Sequence, residues 1–183
     1  MIKRENIFLK LISFITVGTL FAATGEILLN LLIYNNFDQI LFSMLTYPLF
    51  LMFVFFSSRI LDELMKGNIL ADLVYYIVYA GLGLMIEWFV LHNAPWQNHY
   101  AHQIGMLLFW AAIVGMPRIF TDETRDLSNI QSWVTRFFVP FSFIAFALAL
   151  ALALPSRIFW IPWIMIMGYA FLNVFYIWYI LSK

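Results

Sequence analysis

The sequence has no cysteine, and its 10 Lys+Arg and 10 Asp+Glu make up only 11% of 183 residues and cancel to a formal net charge of zero. The missing thiols exclude disulfides, thiol nucleophiles and cysteine-ligated metals. Without a basic surplus, no nucleic-acid partner is expected. G-x-S-x-G, the Walker loop, H-E-x-x-H and G-x-G-x-x-G are also missing, and with them the commonest hydrolase, nucleotide and zinc-protease signatures. No lysine falls in the middle of an apolar block, which argues against a retinal Schiff base. Nor is there the pair of E-x-x-H motifs that four-helix di-metal bundles use.

Apolar residue types fill the space, at 64% of the chain, with 20 Phe, 9 Tyr and 7 Trp among them. A soluble domain is nearer half apolar and a quarter charged. The apolar residues form long blocks at roughly 7–34, 40–61, 69–92, 100–117, 133–154 and 158–181. Each is about 18 to 28 residues, enough to cross a hydrocarbon core of roughly 30 Å as a helix. A helix is required, because a lone spanning segment can satisfy its backbone only within itself. The expectation is an all-α polytopic membrane bundle of about six transmembrane helices in one domain, 1–183. The first block exceeds the core thickness and is expected to tilt or to extend into solvent.

Charge sets the expected orientation. With the N-terminus cytoplasmic, Lys3, Arg4, Lys10, Arg59, Lys66, Arg118, Arg125, Arg136 and Lys183 lie inside and only Arg157 lies outside. That division follows the positive-inside rule and predicts both termini in the cytoplasm, with the protein in a plasma (inner) membrane. The start, with Lys3, Arg4, Lys10 and Ala22-Ala23, has the outline of a signal peptide. The apolar run resumes at Ile27 and reaches Tyr34, so it is read as a retained first span.

The second and fourth spans end alike, S-R-I-L-D-E at Ser58 to Glu63 and P-R-I-F-T-D-E at Pro117 to Glu123. The preceding spans carry Glu26 and Glu87, 61 positions apart. Hairpins 7–66 and 69–126 are therefore candidates for a duplicated pair, with 133–181 outside the repeat. Shared topology alone also places basic residues at such ends. The mixed-charge clusters there (Arg59, Asp62, Glu63 and Lys66, then Arg118, Asp122, Glu123, Arg125 and Asp126) read as a solvated rim with a role in orientation only.

The unusual polar residues gather at the opposite face. Glu26 and Glu87 lie one to two turns inside the membrane, where a carboxylate is costly unless it is paired, protonated or facing a wet cavity. They are the candidate catalytic residues. Asn30 shares the face of Glu26 at i+4. Ala22, Ala23 and Gly83, a turn deeper, allow close helix approach. All three histidines, His92, His99 and His102, fall within eleven positions. With Trp88, Asn93, Trp96 and Gln103 they complete the candidate supporting or substrate-binding set. His92, His99 and His102 are the candidates for a metal or haem, yet the pattern is generic and no cofactor is expected. Trp96 reads equally as an interfacial anchor. Asn173, deep in the last span, reads as a single interhelical hydrogen bond. The run of alternating Ala and Leu at 147–154 reads as a lipid-facing or packing helix.

The functional reading is an enzyme of isomerase, cyclase or hydrolase type. It would act on an apolar, lipid-like or isoprenoid substrate by acid–base chemistry at the two glutamates. Two alternatives stand beside it: a small proton- or solute-coupled transporter, and an accessory subunit of a membrane complex. The expected partners are the bilayer, an apolar small molecule, and a second copy or another membrane subunit.

Overall fold

A computed structural model describes residues 7–65, 68–91, 93–96 and 100–182, with the backbone alone for 100–102. The described residues form six α-helices and no strand: α1 Ile7–Glu26, α2 Phe37–Leu64, α3 Ile69–Phe89, α4 Tyr100–Thr121, α5 Ser128–Ala151 and α6 Leu154–Leu181. Each contains a stretch long and apolar enough to cross a membrane. The protein is an all-helical bundle of the integral membrane type.

Local chemistry explains the boundaries. Asn36 and Asn68 cap α2 and α3, their side chains accepting from the backbone N–H of Gln39 at 3.1 Å and of Ala71 at 3.0 Å. Such caps satisfy amides that have no partner within the helix. Asn35 takes a positive φ of 51° at the turn before α2, a conformation asparagine tolerates better than most residues. The long first block does not run on as one regular helix. Beyond α1 it widens into a π turn, Ile27–Leu31, in which the Leu32 N–H reaches back five residues to the Ile27 carbonyl at 3.2 Å.

Two expected spans shift. α5 begins at Ser128 rather than 133, because the Asp126 carboxylate accepts from the Ser128 amide at 3.1 Å and hydroxyl at 2.6 Å and starts a polar first turn. The Ala-Leu run at 147–154 is not one helix: the chain is extended at Leu152 and Ala153. Pro155 then falls in the first turn of α6, where a missing N–H costs nothing.

α4 is the central helix, packed on α1, α3 and α6, while α5 lies outside and leans mainly on α6. Trp110, Ile113, Val114, Met116 and Ile119 of α4 are fully buried. Outward positions such as Leu45, Leu49, Phe143 and Leu150 are apolar and exposed, as a lipid-facing surface requires.

One end of the bundle is tied by charge. Arg118 lies between α2 and α3, donating to Asp62 at 2.6 and 3.1 Å and to Asp72 at 2.7 and 3.0 Å. Its guanidinium also lies over the Tyr75 ring, 4.3 Å from the centroid. Arg125 pairs with Asp122 at 2.9 Å, approaches Asp72 at 3.8 Å and donates to the Tyr179 carbonyl at 3.0 Å. Lys10 meets Glu123 at 3.2 Å, so the start of α1 and the ends of α4 and α6 share this end. This corrects the reading of a solvated rim for Arg118, Arg125, Asp62 and Asp122, while Glu63, Glu123 and Asp126 are exposed as that reading expects. Asp72 is completely buried, the Arg118 side chain is 13% exposed, and four helices meet on them. Asp122 lies just past α4; partial burial opposes its ionisation, but bonds from the Thr124 hydroxyl and amide, Arg125 and Tyr179 hold its carboxyl below the usual range.

Asn173 also does more than expected. Its amide donates to the carbonyls of Leu108 at 2.9 Å and Tyr169 at 2.7 Å, and its oxygen accepts from the Tyr76 hydroxyl. It therefore joins α3, α4 and α6.

Candidate functional site

At the opposite end a cavity of about 560 Å³ opens between the π turn, the α3–α4 connection, α4 and the first half of α6. Glu26, Glu87, Asn30, Asn93 and Gln39 line it together with Phe109, Met165 and Tyr169. Its rim includes the exposed Tyr34 and Asn36, whereas Glu26 and Glu87 are only 7% and 6% exposed.

Each carboxylate is held by two neutral donors. Glu26 accepts from the Asn30 amide and the Tyr47 hydroxyl. Glu87 accepts from the Asn93 amide at 2.8 Å and from the Trp110 indole at 3.1 Å. The hairpins therefore supply chemically parallel sets of glutamate, asparagine and aromatic donor, spaced by 61, 63 and 63 positions. Their packing is not parallel, since α1 covers α4 broadly and α2 touches α3 only lightly. The aromatic donors pack on each other, with the Tyr47 and Trp110 ring centroids 5.2 Å apart. Two rings tilted at 58° to each other thus lie between the carboxyl groups they hold. Among the described residues, neither glutamate has a basic partner.

Several elements shape these positions. The π turn begins immediately after Glu26 and contains Asn30; such wide turns recur at functional sites, where they re-aim side chains. Glycines leave room for the rings. A Cβ at Gly83 would stand 2.4 Å from the Trp110 indole, and one at Gly25 would stand 2.6 Å from the Phe109 ring. Gly83→Ala is therefore expected to push the indole off Glu87 and to destabilise the bundle by about 1–3 kcal/mol, as overpacking does. A melting curve and the Trp110 indole N–H resonance check this; an unchanged resonance would contradict it.

The sequence candidates divide clearly. Glu26, Glu87, Asn30 and Asn93 come together on one cavity. Trp88 and Gln103 do not line it. The Trp88 indole donates to the Gln103 oxygen at 2.7 Å, and the Gln103 amide donates to the Asn93 carbonyl at 3.0 Å, so the pair braces the loop that carries Asn93. Trp96 is 68% exposed, and its ring centroid lies 6.3 Å from those of Trp88 and Phe89, both tilted against it. His92 and His99, and the side chain of His102, lie outside the described residues, as do Lys3, Arg4, Lys66 and Lys183. Among the described residues, no three His, Asp or Glu side chains gather as a metal site.

Sequence reading missed Tyr47, Trp110, Phe109 and Tyr169. A signal existed for Trp110: an indole N–H mid-span must find an acceptor, and deep side-chain acceptors in this chain are few. Arg157, the one Arg or Lys at this end among the described residues, donates to the carbonyls of Leu32 and Leu152 at 3.0 Å each, closing the ends of the π segment and of α5. No known protein family, curated protein or solved structure matches the chain.

Proposed function

We propose that the protein is a membrane-embedded enzyme that transfers protons to and from an apolar or lipid-like molecule in the Glu26–Glu87 cavity. The observation that supports this reading is that two carboxyl groups from separate helices line one chamber of mixed polar and apolar walls, held by neutral donors and, among the described residues, by no base. A carboxyl so held can give a proton to the substrate while the other takes one from a neighbouring atom. The net change is an isomerisation or ring closure that needs no oxidant. Phe109, Met106, Met165 and Ile166 supply walls that exclude water from the reacting atoms.

Profiling of lipids and isoprenoids tests the assignment. Cells expressing the wild type are compared with cells expressing Glu26→Gln, Glu87→Gln or an empty vector. A product present only with the wild type, and lost in both variants, supports the reading. Identical profiles in all four overturn it.

We place the cavity at the extracytoplasmic face of a plasma or inner membrane, with both termini cytoplasmic, on the strength of the basic residues at the other end. Because the chain has no cysteine, single introduced cysteines report topology cleanly. Trp96→Cys should react with an impermeant maleimide in intact cells, and Thr124→Cys only after lysis. The reverse pattern would invert the bundle.

A proton-coupled transporter is the second reading, favoured by a polar seam on α6. Tyr169, Asn173, Tyr176 and Tyr179 are all buried and lead from the cavity wall to the Arg118 cluster. Solute flux into proteoliposomes that follows an imposed pH gradient would favour it over the enzyme.

A further inference from the structure

The charges and ring faces around the cavity point to the polar group of its ligand. Two carboxylates line the chamber, and no Lys or Arg does so among the described residues. Its other polar side chains are the amides Asn30, Asn36, Gln39 and Asn93 and the phenols Tyr34 and Tyr169. Nothing in this set offers a full positive charge to an anionic headgroup, and a phosphate or carboxylate would meet two acidic groups with no compensating cation among the described residues. The donors that hold the glutamates are neutral, so they orient the carboxylates without cancelling them. Phe109 and Tyr169 meet edge to face, with centroids 5.1 Å apart, on the same wall, and Tyr47 and Trp110 pack at a tilt of 58° behind the glutamates they hold. Aromatic faces and carboxylates both attract a cation, and a weakly hydrated organic cation most of all.

The rest of the chamber describes the remainder of the ligand. Leu29, Leu91, Met106, Pro162, Met165 and Ile166 form an apolar lining. Gly105 keeps this side open, since a Cβ there would stand 2.9 Å from Ile166. The volume of about 560 Å³ falls within the range of small-molecule sites, which extends from about 300 to 1,000 Å³.

We infer that the cavity binds an amphiphile whose headgroup is an organic ammonium, seated between Glu26 and Glu87 with its alkyl part along α4 and α6. This rests on the reading of the cavity as the working site and names its substrate class. An ammonium bearing an N–H can pass that proton to a carboxylate and leave as the neutral amine, whereas a quaternary ammonium can only bind.

Equilibrium binding of radiolabelled decyltrimethylammonium to the full chain in phosphatidylcholine nanodiscs, corrected for empty discs, tests the inference. The wild type should saturate at one site. Loss of both charges in Glu26→Gln/Glu87→Gln should weaken binding about tenfold or more, the equivalent of roughly 1.4 kcal/mol. Gly105→Leu, which fills the chamber and leaves the glutamates in place, should block binding and carries the test if the double variant does not fold. Decanol and decanoate, matched in chain length, should show no saturable site. Equal binding by the double variant, or a decanol site that matches the cation's, would overturn the inference. Cation binding with product profiles unchanged in the single glutamine variants would instead remove the enzymatic reading and leave the site. Lost products without cation binding would do the reverse.

Discussion

Arg118→Met should cost the bundle about 3 kcal/mol, the lower end of the roughly 3–5 kcal/mol expected when one partner of a buried ion pair is removed. Arg118 hydrogen-bonds both Asp62 and Asp72, and Asp72 has no contact with water through its own surface. Removing the guanidinium takes these hydrogen bonds from both carboxylates. The lower end is expected because Arg125, 3.8 Å from Asp72, remains to offset part of the charge. The Tyr75 ring also loses its cation. The readout is the melting temperature of detergent-purified protein together with its elution profile. Adding Asp62→Asn and Asp72→Asn should restore most of the loss, because a site with no charges has none to strand. A single Arg118→Met variant that melts like the wild type would show that the cluster is as solvated as its sequence suggested.

Glu26→Gln and Glu87→Gln should each lower product formation by about 10²–10⁴-fold, the usual contribution of a general acid or base, while the fold persists. The hydrogen bonds explain why the two effects separate. Glu87 accepts one bond on each oxygen, from Trp110 and Asn93. A glutamine keeps an oxygen for the indole and turns an NH₂ toward Asn93, whose amide can rotate to present its own oxygen. At Glu26 the Tyr47 hydroxyl can turn from donor to acceptor in the same way. The stability cost should stay near 1 kcal/mol, that of one neutral hydrogen bond. What cannot be replaced is the exchangeable acidic proton. Two folded variants that retain wild-type product would remove the acid–base assignment.

The helices were legible because apolar length is a strong signal, and in a bilayer little else can produce it. Their ends were less so. α5 opens at Ser128 in a polar turn held by the Asp126 carboxylate, which hydropathy does not register, and the break at Leu152 sits inside an unbroken apolar run. The glutamates stood out as charges in the wrong solvent. Tyr47 and Trp110 did not, because aromatics are common in this chain and only tertiary packing selects the two that face a carboxylate. Asp72 was missed for a related reason. Near a helix start an aspartate reads as an ordinary first-turn residue, and its burial follows from the approach of Arg118, 46 positions later.

The wide turn after Glu26 holds one residue more than an α-turn, and a surplus residue swings everything beyond it by about 100° around the axis. Tyr34 and Asn36, at the mouth of the chamber, lie downstream of that swing. The residue count of that turn, together with the short connection to α2 that carries Tyr34 and Asn36, sets which side chains guard the opening. Gaining or losing one codon there would exchange one set of guards for another while leaving the carboxylates below where they stand.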